Sequence, residues 1–187
     1  YNLPNVQAFN LARNEGISAA QLRDDWEQMA TSKIGKTLQI LYLSHNNLEE
    51  FPASRALRNM LKLGLLDLAN NNIKKVHAFG KEVELASLYL NNNQIEEIPN
   101  DLCGFSDNTE SLNFSYNKLK KIPNIFDASS IHVMGSVDFS NNEITGVDNA
   151  GGYKGINAST VSLANNKLAK FPSELISAGS PIITLDL

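Results

Sequence analysis

One arrangement of residues recurs along most of this 187-residue chain: apolar, two variable, apolar, one variable, apolar, two variable, Asn, one variable, apolar. Leu38, Leu41, Leu43, Asn46 and Leu48 form its clearest copy. The asparagine returns at positions 46, 71, 93, 117, 142 and 166, so the separations are 25, 22, 24, 25 and 24 residues. This nearly constant period predicts a stack of structural repeats, because units of this size bury their apolar faces only against their neighbours.

Each copy contains a short alternating segment, as in Leu88-Tyr89-Leu90. Alternation places Leu88 and Leu90 on one face of a strand and Tyr89 on the other. Parallel stacking of such strands closes a core between the strands and the segments that return to the next repeat.

The template resembles the leucine-rich-repeat family, whose repeats run about 20–29 residues, and the resemblance covers nearly the whole chain. It implies an α/β solenoid with curved parallel strands on the concave face and loops and short helical turns on the convex face. It also implies an interaction module, and the 24-residue type of repeat favours a bacterial surface or exported member of the family.

We expect residues 1–187 to form a single repeat domain that is part of a larger protein. About six clear repeats lie between a degenerate first copy and a truncated last copy. The first copy carries an inserted helix near 18–30, with Ser18 as its N-cap and Trp26 on its apolar face. We expect Trp26 to anchor this helix on the convex side; ligand binding by Trp26 is the alternative.

The recurring asparagine has a structural role in this interpretation. Its amide offers donors and an acceptor, so it can satisfy backbone groups where the chain leaves each strand. The predicted ladder comprises Asn46, Asn71, Asn93, Asn117, Asn142 and Asn166.

The variable positions in and just after each strand are the candidates for partner binding. Together they are polar and mildly acidic, and they include three tyrosines, which combine apolar area with one hydrogen-bonding group. The candidates are Tyr42, His45, Asp67, Tyr89, Asn91, Asn113, Tyr116 and Asp138. Equally, polar residues at such positions can simply keep the surface hydrated.

Several kinds of chemistry find no support in the sequence. The net charge of −4 argues against a nucleic-acid partner. No apolar run is long enough to span a bilayer. No catalytic motif or cofactor motif is present. The single cysteine, Cys103, is expected to be a small buried hydrophobic residue. The acidic strand residues lie too far apart to share a metal ion. We therefore predict no enzyme activity, no cofactor and no metal.

The favoured function is recognition of a protein or peptide by the concave face, with a glycan as another possible ligand class. Two alternatives stay open: a structural spacer without a ligand, and the repeat region of an enzyme whose catalytic domain lies outside this chain. The resemblance favours an extracellular or cell-surface location over a cytoplasmic one. The sequence leaves the oligomeric state and the identity of the partner undetermined.

Overall fold

The structure, a computed structural model, describes residues 3, 5–17, 19–50, 54–78, 80–105, 109–126, 134–148, 155–176 and 180–187. These described residues form ten strands and a few short helices. In chain order they are β1 (Ala8–Asn10), α1 (Ala19–Thr31), α2 (Lys33–Thr37), β2 (Ile40–Tyr42), α3 (Ser54–Leu57), β3 (Leu65–Asp67), β4 (Gly80–Leu85), β5 (Ser87–Tyr89), β6 (Cys103–Phe105), β7 (Ser111–Asn113), β8 (Met134–Asp138), β9 (Ala158–Ser162), a 3-10 helix (Ser173–Leu175) and β10 (Thr184–Asp186).

Eight of these strands form one parallel sheet in the order β1-β2-β3-β5-β7-β8-β9-β10. Their register follows the sequence template, because the middle apolar residue of each copy pairs with the same residue of the next copy. These central residues are Phe9, Leu41, Leu66, Leu88, Leu112, Val137, Val161 and Leu185. The predicted solenoid of parallel strands is thereby confirmed.

The core lies directly behind the sheet. Leu41, Leu66 and Leu88 are fully buried there, as are the apolar residues two positions further along each strand. In the β7 and β8 repeats phenylalanine takes the second of these positions, and the rings of Phe114 and Phe139 stack with centroids 5.1 Å apart. Burial of such side chains contributes roughly 1.5–3 kcal/mol each relative to exposure, so the aligned rows stabilise the stack.

The convex side is built from less regular elements. Leu57, Leu102, Phe126 and Leu175 pack inward from it, as the sequence predicts. A second, two-stranded parallel sheet also forms here, between β4 and β6. The sequence predicts only loops and short helical turns on this side, because the segments that form β4 and β6 do not follow the repeat template.

Helix α1 lies in the insertion between the first two strands. Trp26 is only 2% exposed and packs in the core with Leu22 and Met29, which confirms its anchoring role and removes it as a surface ligand site. Ser18, the predicted N-cap, lies outside the described residues. Within the described part of the chain, no helix combines the length and the apolar character needed to cross a bilayer.

The asparagines form a regular hydrogen-bond ladder. Asn93 shows the pattern: its Nδ2 donates to the carbonyls of Leu68 and Leu90, each at 3.0 Å, and its Oδ1 accepts from the backbone N–H of Ile73 at 3.0 Å. Each asparagine thus joins the strand end of its own repeat to that of the preceding repeat. The same pattern occurs at Asn46, Asn71, Asn117, Asn142 and Asn166.

Asn14 is a further member of the ladder, at its N-terminal end. Its backbone N–H donates to Oδ1 of Asn46 at 2.7 Å, and its own Nδ2 donates to the carbonyl of Leu11 at 2.9 Å. The first repeat therefore ends its strand in the same way as the others, although its spacing to the next asparagine is 32 residues.

Candidate concave binding face

The concave face is defined here by four positions in each repeat, numbered from the buried central strand residue. Positions −1 and +1 flank that residue in the strand, and positions +3 and +4 follow the strand. In β2 the central residue is Leu41, so these positions are Ile40, Tyr42, Ser44 and His45. All eight predicted contact residues occupy one of these positions, and parallel pairing aligns each position into a row across the sheet.

The +1 row contains five of the predicted residues. Tyr42 pairs with Asp67, and Asp67 pairs with Tyr89. Tyr89 then pairs with Asn113, and Asn113 with Asp138. These five side chains are half-buried, so each retains a surface from which it can contact a partner.

Several +1 residues have a backbone role that the sequence analysis misses. Oδ1 of Asp67 accepts a hydrogen bond from the N–H of Ala69 at 3.0 Å, and Oδ1 of Asp138 accepts from Ser140 at 2.8 Å. Asn10 and Asn113 make the same contact two residues ahead. This is the Asx turn, in which a short polar side chain takes the place of a backbone acceptor. Aspartate and asparagine in this row therefore help to end the strand.

Tyr42 and Tyr89 depart from that pattern. A tyrosine ring carries no acceptor within reach of the N–H two residues ahead, so these two repeats lack the Asx turn. Among the described residues, neither phenolic hydroxyl has a hydrogen-bond partner. Both tyrosines thus offer a half-exposed ring and an available hydroxyl group, and neither serves the local backbone.

The −1 row adds two residues that the sequence analysis did not include. Ile40 and Leu65 pair in register and are half-buried beside Tyr42 and Asp67. The next −1 residues are serines or threonines: Ser87, Ser111, Ser136 and Thr160. The −1 row is therefore apolar at β2 and β3 and polar from β5 to β9. In the sequence, Ile40 and Leu65 look like part of an apolar run with the core leucine that follows each of them.

The +3 and +4 positions hold the remaining predicted residues. Asn91 is a half-buried +3 residue whose carbonyl accepts from the N–H of Asn70 at 2.9 Å. His45 and Tyr116 are exposed +4 residues, with φ of 55° and 52°. The +4 residue has a positive φ in seven successive repeats, and asparagine occupies it four times, at Asn70, Asn92, Asn141 and Asn165.

Tyr116 is unusual at this position. Asparagine tolerates the left-handed region better than most residues, whereas a bulky side chain there is strained. Tyr116 nevertheless projects into solvent with 56% of its surface exposed. Backbone strain of this kind is concentrated at functional sites, so it marks Tyr116 as a candidate contact residue.

Charged side chains are concentrated on a flank of the solenoid, just beyond the ladder. Glutamate and lysine pairs alternate from repeat to repeat there, as Glu49-Glu50, Lys74-Lys75, Glu96-Glu97 and Lys120-Lys121. Lys120 contacts Glu96 at 3.1 Å, and further along Lys167 contacts Glu143 at 2.8 Å. Because stacked repeats place equivalent residues side by side, alternation keeps like charges apart.

Residues that could support catalysis are not brought together in the described part of the chain. Cys103 is buried, as predicted, and burial raises the pKa of its thiol, which suppresses the reactive thiolate. Among the described residues, no group of three or more His, Cys, Asp or Glu side chains could hold a metal ion. His132 lies outside the described residues.

These features define a class of protein: a parallel β-solenoid whose repeats are joined by an asparagine ladder. A family model described as leucine rich repeat matches residues 36–95. Lumican of Oryctolagus cuniculus is 32% identical over 133 residues, which cover 65% of this chain and 68% of that relative. The chain belongs to the leucine-rich-repeat family.

Other similar proteins are longer than this chain. Lumican of Rattus norvegicus is 32% identical over 173 residues, and the match covers 87% of this chain and 48% of that relative. A leucine-rich repeat protein from Bacteroides eggerthii has 48% identity and a TM-score of 0.89, covering 99% of this chain and 32% of that one. A leucine-rich repeat protein from Bacteroides thetaiotaomicron has 54% identity and a TM-score of 0.91, covering 98% of this chain and 23% of that one.

Proposed function

We propose that this chain is a recognition module that binds a protein or peptide on its concave face. The observation that carries the proposal is the presence of Tyr42 and Tyr89 in a row where aspartate or asparagine would stabilise the turn. A repeat region that served only as a spacer would have no reason to lose two turn-stabilising side chains in favour of exposed rings.

The chemistry of the face suits a polypeptide partner. Tyrosine contributes a large contact area with little loss of side-chain entropy, and it is enriched in protein interfaces. Ile40 and Leu65 add apolar surface beside the rings, while Asn91 and Asn113 border them with polar groups. A small apolar centre bordered by polar residues is the usual composition of a protein interface.

We also propose a domain organisation and a location for the protein. One eight-stranded sheet joins β1 to β10, which supports treating residues 1–187 as a single repeat domain. The relative lumican is an extracellular matrix protein, and this supports an extracellular or cell-surface location. The two Bacteroides proteins support a bacterial member of the family.

The test is a selection of binders from a displayed peptide and protein-domain library, with a glycan array probed in parallel. Each binder is then measured against the double variant Tyr42→Asn/Tyr89→Asn. This variant should fold, because asparagine occupies the same row at Asn10 and Asn113 and would restore the Asx turn. The matched control is Leu61→Ala, which removes an exposed apolar side chain, 64% accessible, from the segment that returns to β3.

We expect polypeptide binders whose affinity falls at least about tenfold with the double variant, since buried interface aromatics are frequent hot spots. Their affinity should stay the same with Leu61→Ala. Binders whose affinity falls only with Leu61→Ala would show that the binding site lies on the returning segments. The absence of any binder would favour the structural spacer. Hits confined to the glycan array would show that the ligand is a carbohydrate and not a polypeptide.

A further inference from the structure

We infer that Tyr42, Asp67 and Tyr89 form a seat for one cationic side chain, arginine or lysine, of the bound polypeptide. The inference rests on the proposed function and specifies the chemistry that the concave face would select. It is drawn from the order of these three residues in the +1 row and from the distribution of charge over the face.

The register places the carboxylate between the two rings. Tyr42 pairs with Asp67 and Asp67 pairs with Tyr89 on consecutive strands. Neighbouring strands lie about 4.8 Å apart, so the two tyrosine positions are separated by about 10 Å. A cation held above Asp67 would then lie about one strand spacing, about 5 Å, from each tyrosine position, and a ring turned towards Asp67 would come within the roughly 6 Å over which an aromatic ring attracts a cation.

One carboxylate oxygen of Asp67 is available to accept a hydrogen bond from such a ligand. Its Oδ1 already accepts the N–H of Ala69, and this contact fixes the orientation of the carboxylate. Among the described residues, Oδ2 of Asp67 has no hydrogen-bond partner and no ion pair. A guanidinium or ammonium group could therefore donate to Oδ2 without disturbing the turn, and such charge-assisted hydrogen bonds are stronger than neutral ones.

Lysine and arginine are almost absent from the surrounding face. Among the described residues at the −1, +1, +3 and +4 positions, the one such residue is Arg13, at the +4 position of β1 and two strands from Asp67, whereas Asp138 and Asp186 add further negative charge. Most of the described lysines of these repeats lie instead on the flank that carries the alternating Glu and Lys pairs. The concave face is thus complementary to a basic segment, and a positive charge on the partner would be steered towards it.

An apolar strip beside the seat matches the rest of such a side chain. Ile40 and Leu65, at the −1 position, lie next to Tyr42 and Asp67 on the same strands. Lysine and arginine combine a charged end with an apolar stem that packs against such surfaces. In the next strand the −1 residue is Ser87, so the apolar strip ends there.

Asp138 supplies a matched control within the same row. It makes the same Asx turn, to Ser140 at 2.8 Å, but its neighbours in the row are Asn113 and Ser162. It therefore shares the charge and the turn of Asp67 and lacks the aromatic walls. Asp67→Asn and Asp138→Asn remove the same charge, and asparagine keeps the turn, as it does at Asn10 and Asn113.

The experiment titrates the full chain with acetyl-Gly-Arg-Gly-amide, followed by amide chemical shifts of the ¹⁵N-labelled protein. The lysine peptide and the neutral citrulline peptide are titrated in the same way. We expect saturable shifts centred on Asp67 and Ala69 with the arginine and lysine peptides. Asp67→Asn and Tyr42→Asn/Tyr89→Asn should each weaken binding by about tenfold or more, because each removes a main element of the seat, whereas Asp138→Asn should change it less than about twofold.

Equal binding of the citrulline peptide, an unchanged affinity of Asp67→Asn, or the absence of saturable shifts would overturn the cation seat. The proposed function is judged separately, on the selected polypeptide binders. Binders that need Tyr42 and Tyr89 but tolerate Asp67→Asn would refute the seat and leave the proposed function intact. Saturable arginine binding without any polypeptide that depends on the tyrosines would support the seat and contradict the proposed function.

Discussion

The backbone N–H of Ile73 donates a 3.0 Å hydrogen bond to Oδ1 of Asn93, which lies one repeat further along the chain. Nδ2 of Asn93 donates to carbonyls of both repeats, at Leu68 and Leu90, so one side chain satisfies backbone groups on two turns of the solenoid. Asn93→Leu should therefore lower the free energy of unfolding by about 3 kcal/mol, because it leaves buried backbone groups unsatisfied at about 1–3 kcal/mol each.

Urea denaturation followed by circular dichroism measures this loss. Asn14→Leu is the matched control, because Asn14 is exposed and its side chain contacts only its own repeat. A loss for Asn93→Leu no larger than that for Asn14→Leu would mean that the ladder does not stabilise the stack.

Replacing Tyr116 should change the free energy of unfolding in the opposite direction. Its φ of 52° is unfavourable for a bulky residue, whereas equivalent repeats use Asn92 and Asn141. Tyr116→Asn should therefore raise the free energy of unfolding by about 1 kcal/mol, in the range expected for strain in this region. Asn141→Tyr should show a loss of similar size in the same urea experiment. A destabilised Tyr116→Asn variant would show that the tyrosine side chain makes contacts worth more than the strain.

Cys103 should be unreactive in the native protein. Burial raises the pKa of its thiol, so the reactive thiolate is rare near neutral pH. We expect the disulfide reagent DTNB to modify Cys103 at least about a hundredfold more slowly in the folded protein than in 6 M guanidinium chloride. Similar rates in both conditions would show that β6 opens readily or that the thiol is accessible.

The Glu143 carboxyl should titrate below the usual range of a glutamate. The hydrogen bond and the charge of Lys167 are the largest causes, and Lys120 and Lys118 lower the pKa further. Because the folded pKa is lowered, the stabilising contribution is complete above the unfolded pKa and is lost as the pH falls through the folded one. An NMR titration of the Glu143 side chain should show its pKa rising in Lys167→Met; an unchanged pKa would refute the pairing.

The sequence predicts the sheet well because the repeat template fixes both face and register. Once Leu41, Leu66 and Leu88 are aligned by the template, parallel pairing places every variable residue in a row. Even the degenerate first copy aligns, since Phe9 pairs with Leu41. The second sheet, between β4 and β6, is not predictable in this way, because its segments lie outside the template and pair only through the three-dimensional stack.

The sequence predicts the location of the concave residues but not what each of them does. Asp67 and Asp138 look like hydrated surface residues until the direction of Oδ1 is known, since residue type alone does not show an Asx turn. One signal was available: asparagine recurs one residue before the ladder asparagine, and asparagine favours positive φ. That recurrence would have marked Tyr116 as an exception.

Hydroxyl-radical footprinting with a selected binder tests most directly whether Tyr42 and Tyr89 lie within the binding surface. The reagent oxidises exposed tyrosines, so the free protein reports both rings together with the exposed Leu61. We expect a saturating binder to lower the oxidation rates of Tyr42 and Tyr89 by at least about fivefold, because interface aromatics are largely removed from solvent. The oxidation rate of Leu61 should stay unchanged. Protection of Leu61 with unaltered oxidation of both tyrosines would contradict this expectation.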